Sequence, residues 1–234
     1  MKRLLVGAAC GFGLGLCTSA LAQSTPAVVV ELYTSQGCSS CPPADGNFAE
    51  LVDEPGVIPL ALHVDYWDYI GWVDTFAQPR FTERQKAYAR AEGHKTIYTP
   101  QFIVGGLGRV VGNVPSEVAV HVANHKSVGS PVKLWLENQG EMIVIHAEAD
   151  PPLGRAVRVQ LVRFNPEETI TIERGENAGE TVTYHNIVTS WTPMAEWDGK
   201  SPLRLEAAVP GPDGVVVIVQ NDGMGQIVAA SVLD

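Results

Sequence analysis

Hydrophobic positions give the chain two textures. From Val28 to about residue 129, short unbroken apolar runs alternate with stretches of helical period. Val28-Val29-Val30-Glu31-Leu32-Tyr33 is an apolar run with one carboxylate in it, the pattern of a buried strand. Ala44, Phe48, Leu51 and Val52 then recur at helical spacing, and Glu54-Pro55-Gly56 closes that segment near Asp53. Pro42 and Pro43 are tolerated in a first helical turn and poorly in a helix interior, so this helix is expected to start at about Ser39 or Ser40. Ile58–Val64 reads as a second apolar strand, and strand–helix–strand takes a right-handed parallel crossover by default. The aromatic segment Asp65-Tyr66-Trp67-Asp68-Tyr69-Ile70-Gly71-Trp72 follows neither period and reads as an ordered loop. Phe81–Ala91 is an expected helix with Phe81, Tyr88 and Ala91 on one face and Gly93 as its stop. Strands Phe102–Val104 and Arg109–Val111 join through Gly105-Gly106-Leu107-Gly108 into a hairpin. Pro115–Lys126 completes this half as a helix whose apolar face is Val118, Ala119, Val122 and Ala123.

After Ser127-Val128-Gly129-Ser130-Pro131 the period shortens to two. Strands are expected at Val132–Glu137, Met142–Glu148, Ala156–Phe164, Thr169–Glu173, Thr181–Ile187, Leu203–Val209, Val215–Gln220 and Gln226–Leu233. Short strands separated by Gly, Pro and Asn turns imply an antiparallel sandwich or partial barrel. The fold class expected is therefore an α/β domain over residues 23–129 followed by an all-β, sandwich-like domain over 130–234.

The first 22 residues have the character of a targeting segment. Lys2 and Arg3 precede an uncharged apolar stretch, Leu4 to Leu16, and Ala20-Leu21-Ala22 has the small-x-small pattern of a signal peptidase site. Cleavage is expected near Ala22-Gln23, which places the mature chain in the periplasm or outside the cell, with no membrane attachment after cleavage. The apolar stretch is short for a bilayer span. Loss of Lys2 and Arg3 takes the formal charge from −10 to −12. So acidic a protein is a poor match for nucleic acid or an anionic membrane surface.

Cleavage also removes Cys10 and Cys17, leaving Cys38 and Cys41 of the four cysteines. An exported protein with one C-x-x-C carries no framework of structural disulfides. The pair lies where an apolar strand runs out and a helix begins. Unpaired N–H groups and the positive end of the dipole favour a thiolate there, and the thiolate is the nucleophile. Three uses are open to the pair: a redox couple, half of a metal site, or a static disulfide. A metal site wants two further ligands, and no second C-x-x-C is present. Glu117, His121 and His125 share a helical face, a spacing that suits either a metal or a solvated polar side. Glu31 alternates against apolar neighbours and is expected to point inward. Buried alone, its pKa would rise, which suits a proton acceptor.

The order strand, C-x-x-C, helix, strand, helix, Thr99-Pro100, strand, strand, helix resembles the thioredoxin fold. In that superfamily a cis-proline faces the cysteine pair, and the residue before it contacts substrate. Pro100 and Thr99 hold those places. An Asp or Glu beneath the active site is matched by Glu31. The resemblance implies that Cys38 is the exposed nucleophile and Cys41 the buried resolving thiol. The string from Val30 to Asp45, with His63-Val64-Asp65-Tyr66-Trp67-Asp68, Tyr98-Thr99-Pro100-Gln101 and Arg174-Gly175-Glu176-Asn177-Ala178-Gly179, is similar to a family of uncharacterised secreted bacterial proteins with a thioredoxin-like domain. Three positions depart from ordinary thioredoxins. Gly37 stands where a tryptophan is usual, Ser39-Ser40 lies between the cysteines, and the lysine that pairs with the buried carboxylate is missing.

The function expected is thiol–disulfide exchange through a mixed disulfide on Cys38, with no organic cofactor. Its partners would be protein or small-molecule thiols and disulfides, and a redox partner protein. Cys38, Cys41, Glu31 and Pro100 form the expected catalytic set, and Thr99, Tyr66 and Trp67 the substrate-binding set. The alternatives are a non-catalytic binding protein with a structural disulfide, and a copper or zinc carrier using the two cysteines with His63. The dense charged and glycine residues of Arg174–Gly179 make that segment the best candidate in the second half to reach toward Cys38.

Overall fold

The computed structural model describes residues 27–233. The targeting segment, its cleavage site, Cys10 and Cys17 lie outside the described residues. The described residues form a mixed α/β structure with two sheets. Its first half comprises β1 (Val28–Thr34), α1 (Pro42–Ala49), β2 (Val57–His63), α2 (Pro79–Ala91), β3 (Gln101–Val104), β4 (Gly108–Val111) and α3 (Pro115–Val128). A single 3-10 turn, Asp68–Ile70, lies within the aromatic loop. The second half supplies β5 (Val132–Asn138), β6 (Met142–Ala149), β7 (Val157–Thr171), β8 (Thr181–Trp197), β9 (Leu203–Ala208), β10 (Gly214–Asn221) and β11 (Ile227–Val232).

Eight strands form one sheet in the order β11-β10-β7-β8-β2-β1-β3-β4, and β5-β6-β9 form a second. β1 pairs in parallel with β2 and antiparallel with β3. The larger sheet therefore runs straight across residue 129, and the second half is not closed on itself. Its junction is β2 with β8, paired in parallel at Ala61 and Ile187, and tied again where Asn186 donates to the Pro59 carbonyl at 2.9 Å. Two expected strands, Ala156–Phe164 and Thr169–Glu173, are one strand, and Thr181–Ile187 is only the start of β8. Asn165-Pro166 reads as a turn in isolation. Pairing with β8 overrides it, and the ladder steps over Pro166, from Asn165↔Ile187 to Glu167↔His185. Register shifts at Val159/Gln160 and Arg163/Phe164 accommodate the length of this ribbon.

Three apolar cores follow from the period-two alternation. Val28, Val30 and Leu32 of β1 face Ala44 and Phe48 of α1 and Val118 and Val122 of α3. Val29 and Tyr33 face the other way, toward Phe81 and Tyr88 of α2. That core is completed by Val162, Val188, Val216, Ile218 and Ile227 from the second half. The opposite face of β7 and β10, with Val159, Val217 and Val219, packs on Leu134, Ile143 and Ile145 of the smaller sheet. β10 is thus buried on both faces, which its unbroken run Val215–Val219 reflects.

Candidate active site

The cysteine pair is set between the end of β1 and the start of α1. Helix α1 begins at Pro42, later than Ser39 or Ser40, because Pro42 and Pro43, which lack N–H groups, occupy its first positions. Cys41 is the N-cap, and a tight turn precedes it, in which Cys38 N–H reaches the Ser35 carbonyl and Cys41 N–H the Cys38 carbonyl, both at 3.1 Å. The helix end therefore acts on Cys41 more directly than on Cys38. The two cysteines are disulfide-bonded with Cα atoms 5.4 Å apart. Their exposures are 1% and 0%, while Ser39 and Ser40 between them are exposed. Cys38 Sγ lies 3.4 Å from Ser40 Oγ.

Two segments cover the pair. The Cβ of Trp67 packs on Gly37; a Cβ at Gly37 would meet it at 3.2 Å, a tight contact that Trp67 would have to yield to. Trp67 Nε1 donates to Thr99 Oγ1 at 2.7 Å, so the residue before Pro100 is tied through Trp67 to the residue before Cys38. The Thr99–Pro100 bond is cis. Tyr66 donates to Gln85 Oε1 at 3.2 Å and is half-buried like Trp67. These two aromatics fasten the loop to the body of the protein. Tyr69, at 81% exposure, is the ring that meets solvent. The second cover is the segment Arg174–Gly179. Asn177 is buried, and its amide donates to the Gln36 carbonyl at 2.9 Å and the Cys38 carbonyl at 3.0 Å. Gly175 lies against Trp72 and the Ile70 carbonyl.

Glu31 is buried, and not alone. Arg84 Nε and an outer nitrogen of its guanidinium donate to the carboxylate at 2.8 and 2.9 Å, Tyr33 at 2.9 Å and Tyr88 at 2.7 Å. The cation whose absence from the strand was noted above comes from α2 instead. Arg84 also lies 3.7 Å over the Trp191 ring and donates to Gln220, which donates to Tyr88. Burial, reinforced by the Glu31 charge, pushes both tyrosine hydroxyls far above their ordinary range. With its oxygens taken by four donors, and on the α2 face of the sheet while Cys41 caps a helix on the other face, Glu31 is placed as the anchor of this network. Of the two uses open to a buried carboxylate there, a proton acceptor or a group satisfied by donors, this arrangement matches the second, with side chains in place of backbone as the donors.

On the α1 face a different set of ionisable groups is buried. His63, at the end of β2, shares that face with Ala61 and Val57 and is 0% exposed. Its Nδ1 is 2.7 Å from Asp74 Oδ2. Asp74 is held by the N–H groups of Gln36 at 2.8 Å and Phe76 at 2.9 Å. Asp45, one turn after Cys41 on α1, is 6% exposed, with its N–H on the Cys41 carbonyl at 3.0 Å. Burial pushes Asp45 up to about 7 against the attraction of His63. Asp74 is lowered, the His63 charge and its hydrogen bonds outweighing burial. His63 is raised, as Asp74 outweighs burial. Asp45 Oδ2, His63 Nε2 and Thr34 Oγ1 lack a hydrogen-bond partner.

Sequence reasoning missed Arg84, Asp45, Asp74 and Gln36. Arg84 could have been found, since Phe81, Arg84 and Tyr88 share one helical face. Asp45 follows Cys41 by four positions beside buried Ala44, also a legible spacing. Asp74 gave no signal, because only the return of its loop onto β2 brings it to His63. His121 and His125 lie with their rings against Gly108 and Gly105, where a Cβ would be 2.7 and 2.2 Å from them. Among the described residues no group of three His, Cys, Asp or Glu is arranged to hold a metal, and no helix is long and apolar enough to cross a membrane.

A family model described as "Protein of unknown function (DUF1223)" matches residues 29–220. The chain is similar to a protein of Agrobacterium tumefaciens solved by X-ray crystallography, with 32% identity and a TM-score of 0.77. The alignment covers 91% of this chain and 96% of that one. None of the curated proteins compared with it matches the chain.

Proposed function

The chain belongs to the DUF1223 family, and we propose that it is an exported thiol–disulfide oxidoreductase, built on a thioredoxin-like first half, that works through Cys38 and Cys41. The observation carrying this reading is the disulfide closed across Ser39-Ser40 immediately before α1, with Cys41 at the helix N-cap. Reduction frees both thiols within one turn of the helix start, where the helix end favours a thiolate. In the exchange, Cys38 attacks a substrate disulfide and forms a mixed disulfide. Cys41 then attacks Cys38 and expels the second substrate thiol. The substrate gains two electrons and the protein dithiol loses them, and the reverse direction uses the same atoms.

The test is exchange with glutathione. The full chain should reach a defined redox equilibrium, and the alkylation rate of reduced Cys38 should give a midpoint below the free-thiol value of about 8.5. Cys38→Ala should abolish exchange, and Cys41→Ala should accumulate a mixed disulfide. A midpoint near 8.5 with no exchange would remove the reading.

One observation favours a second reading, a binding protein with a static disulfide: both sulfurs are buried in the oxidised state. Under that reading the pair resists a small dithiol until the protein unfolds, and the single-cysteine variants differ from the parent in stability alone.

A further inference from the structure

The buried carboxyl group nearest Cys41 along the chain is Asp45, and three facts about it belong together. Asp45 is four residues after Cys41 on a continuous helical path: Cys41 has helical dihedrals, φ −81 and ψ −36, and the Asp45 N–H closes on its carbonyl. Side chains so spaced lie on one helix face about 5–6 Å apart at Cβ. Asp45 Oδ2 is buried without a close hydrogen bond, the Thr34 hydroxyl alone lying near enough to steady its charge, whereas every other buried acid near the site has fixed donors: Glu31 has four, and Asp74 has His63 and two backbone N–H groups. Finally, the charge on His63 attracts an Asp45 carboxylate while that on Asp74 repels it, so the His63–Asp74 pair bears on how readily Asp45 ionises. Tyr184 of β8 is the other ionisable group facing this cluster, its ring 4.9 Å from that of His63, and Asp68 lies behind Asp74, accepting from its N–H at 3.1 Å.

Given the redox reading above, on which this rests, we propose that Asp45, backed by the His63–Asp74 pair, is the group that exchanges a proton with Cys41 during disulfide formation and cleavage. When the mixed disulfide on Cys38 is resolved, the Asp45 carboxylate takes the Cys41 thiol proton. The Cys41 thiolate attacks Cys38 Sγ, the protein S–S bond forms, and the bond to the substrate sulfur breaks, releasing a substrate thiolate. In the reductive direction the same proton returns from Asp45 to the Cys41 thiolate. Asp45 is the proton acceptor and donor in this step, and His63 with Asp74 are positioning residues that bear on how readily the proton is given up. An acid that ionises near neutrality suits this task, since proton transfer is most effective when donor and working pH match.

The experiment follows closure of the reduced full chain by oxidised glutathione in single turnover from pH 5.5 to 8.5, for the parent and for Asp45→Asn. The parent rate should rise with pH and bend near pH 7. Asp45→Asn should lose that bend and close at least tenfold more slowly at pH 7.5, while its thermal unfolding stays cooperative. As a check free of any variant's folding, the infrared difference spectrum between oxidised and reduced parent should contain the carbonyl band of a buried carboxylic acid, sensitive to pH around 7. An unchanged pH profile in Asp45→Asn, or no carboxylic-acid band in the parent difference spectrum, overturns the proposal while leaving exchange itself intact. A parent that fails to exchange with glutathione at any pH overturns the redox reading and this inference with it.

Discussion

Arg84 meets Glu31, Tyr88, Gln220 and the face of Trp191 from one side chain that is almost fully buried. Removing one partner of a buried ion pair strands the other charge, at a cost of about 3–5 kcal/mol. Arg84→Met is expected to lower unfolding stability in denaturant by that amount, and Glu31→Leu with Arg84→Met together to recover much of it. An Arg84→Met loss below about 1 kcal/mol would show that the network is not shielded from water. The second residue-scale prediction concerns pH. Asp45 has a folded pKa of about 7 above an unfolded value of 3.8, so the stability it contributes is fully present below pH 3.8 and lost as pH rises to about 7. His63 is raised too, so its contribution is present below pH 6.5 and lost as pH rises through its folded value. Asp74 is lowered, and its contribution, present above pH 3.8, is lost as pH falls through its depressed value. Melting temperature should therefore decline between pH 5.5 and 8. Asp45→Asn should flatten that decline by on the order of 2 kcal/mol, roughly 4–8 °C for a chain of this size. Parallel melting curves for the two proteins would contradict it.

At the scale of elements, the aromatic loop and the Arg174–Gly179 segment both lie against the residues beside Cys38. Gln36 fastens the strand end to the loop: it accepts from Trp72 Nε1 at 2.7 Å and donates to Thr75 at 3.1 Å. Asn177 fastens the other cover by two hydrogen bonds to carbonyls that flank Gly37. Asn177→Ala leaves both carbonyls without that donor, which costs about 1–3 kcal/mol, and loosens the segment over the disulfide. Reduction of Cys38–Cys41 by a small dithiol should then be several-fold faster than in the parent, measured by thiol release under native conditions. Equal rates would mean that the segment does not control access.

At the scale of the whole molecule, the first half closes one core by itself and shares the other with the second half. The face of β1 and β2 that holds Val29, Leu60 and Leu62 is covered by α2 and also by Val162, Val188, Val216, Ile218 and Ile227. Glu31 and Arg84 likewise depend on Gln220 and Trp191 from beyond residue 129. A fragment ending at Gly129 is expected to show no cooperative thermal transition and to bind apolar dyes, because about half of that core would face water. A fragment that melts cooperatively would mean that the two halves are energetically independent. The expected boundary near residue 129 does fall at a helix end, where α3 stops at Val128 and Gly129 takes φ 70. A chain can turn there and still return its later strands to the same sheet.

What the sequence by itself determined is local. Apolar runs and helical periods placed β1, β2, the hairpin of β3 and β4, and the three helices within a few residues, because burial on one or both faces writes its own period into the chain. The cysteines were marked by spacing, and Pro42-Pro43 by the missing N–H groups that a first helical turn tolerates. Helix α1 still starts later than expected, since the turn at Ser39-Ser40 is closed by backbone bonds that no side-chain pattern reports. Tertiary structure alone decided which face of β1 carries Glu31, that its cation is Arg84 from α2, that Asp74 meets His63, and that β7 runs through Asn165-Pro166. It also decided that β8 lies beside β2, making one sheet of both halves. Each of these depends on pairing between segments far apart in the chain. Alternation fixes that a side chain is buried, but only strand register and loop return fix against what.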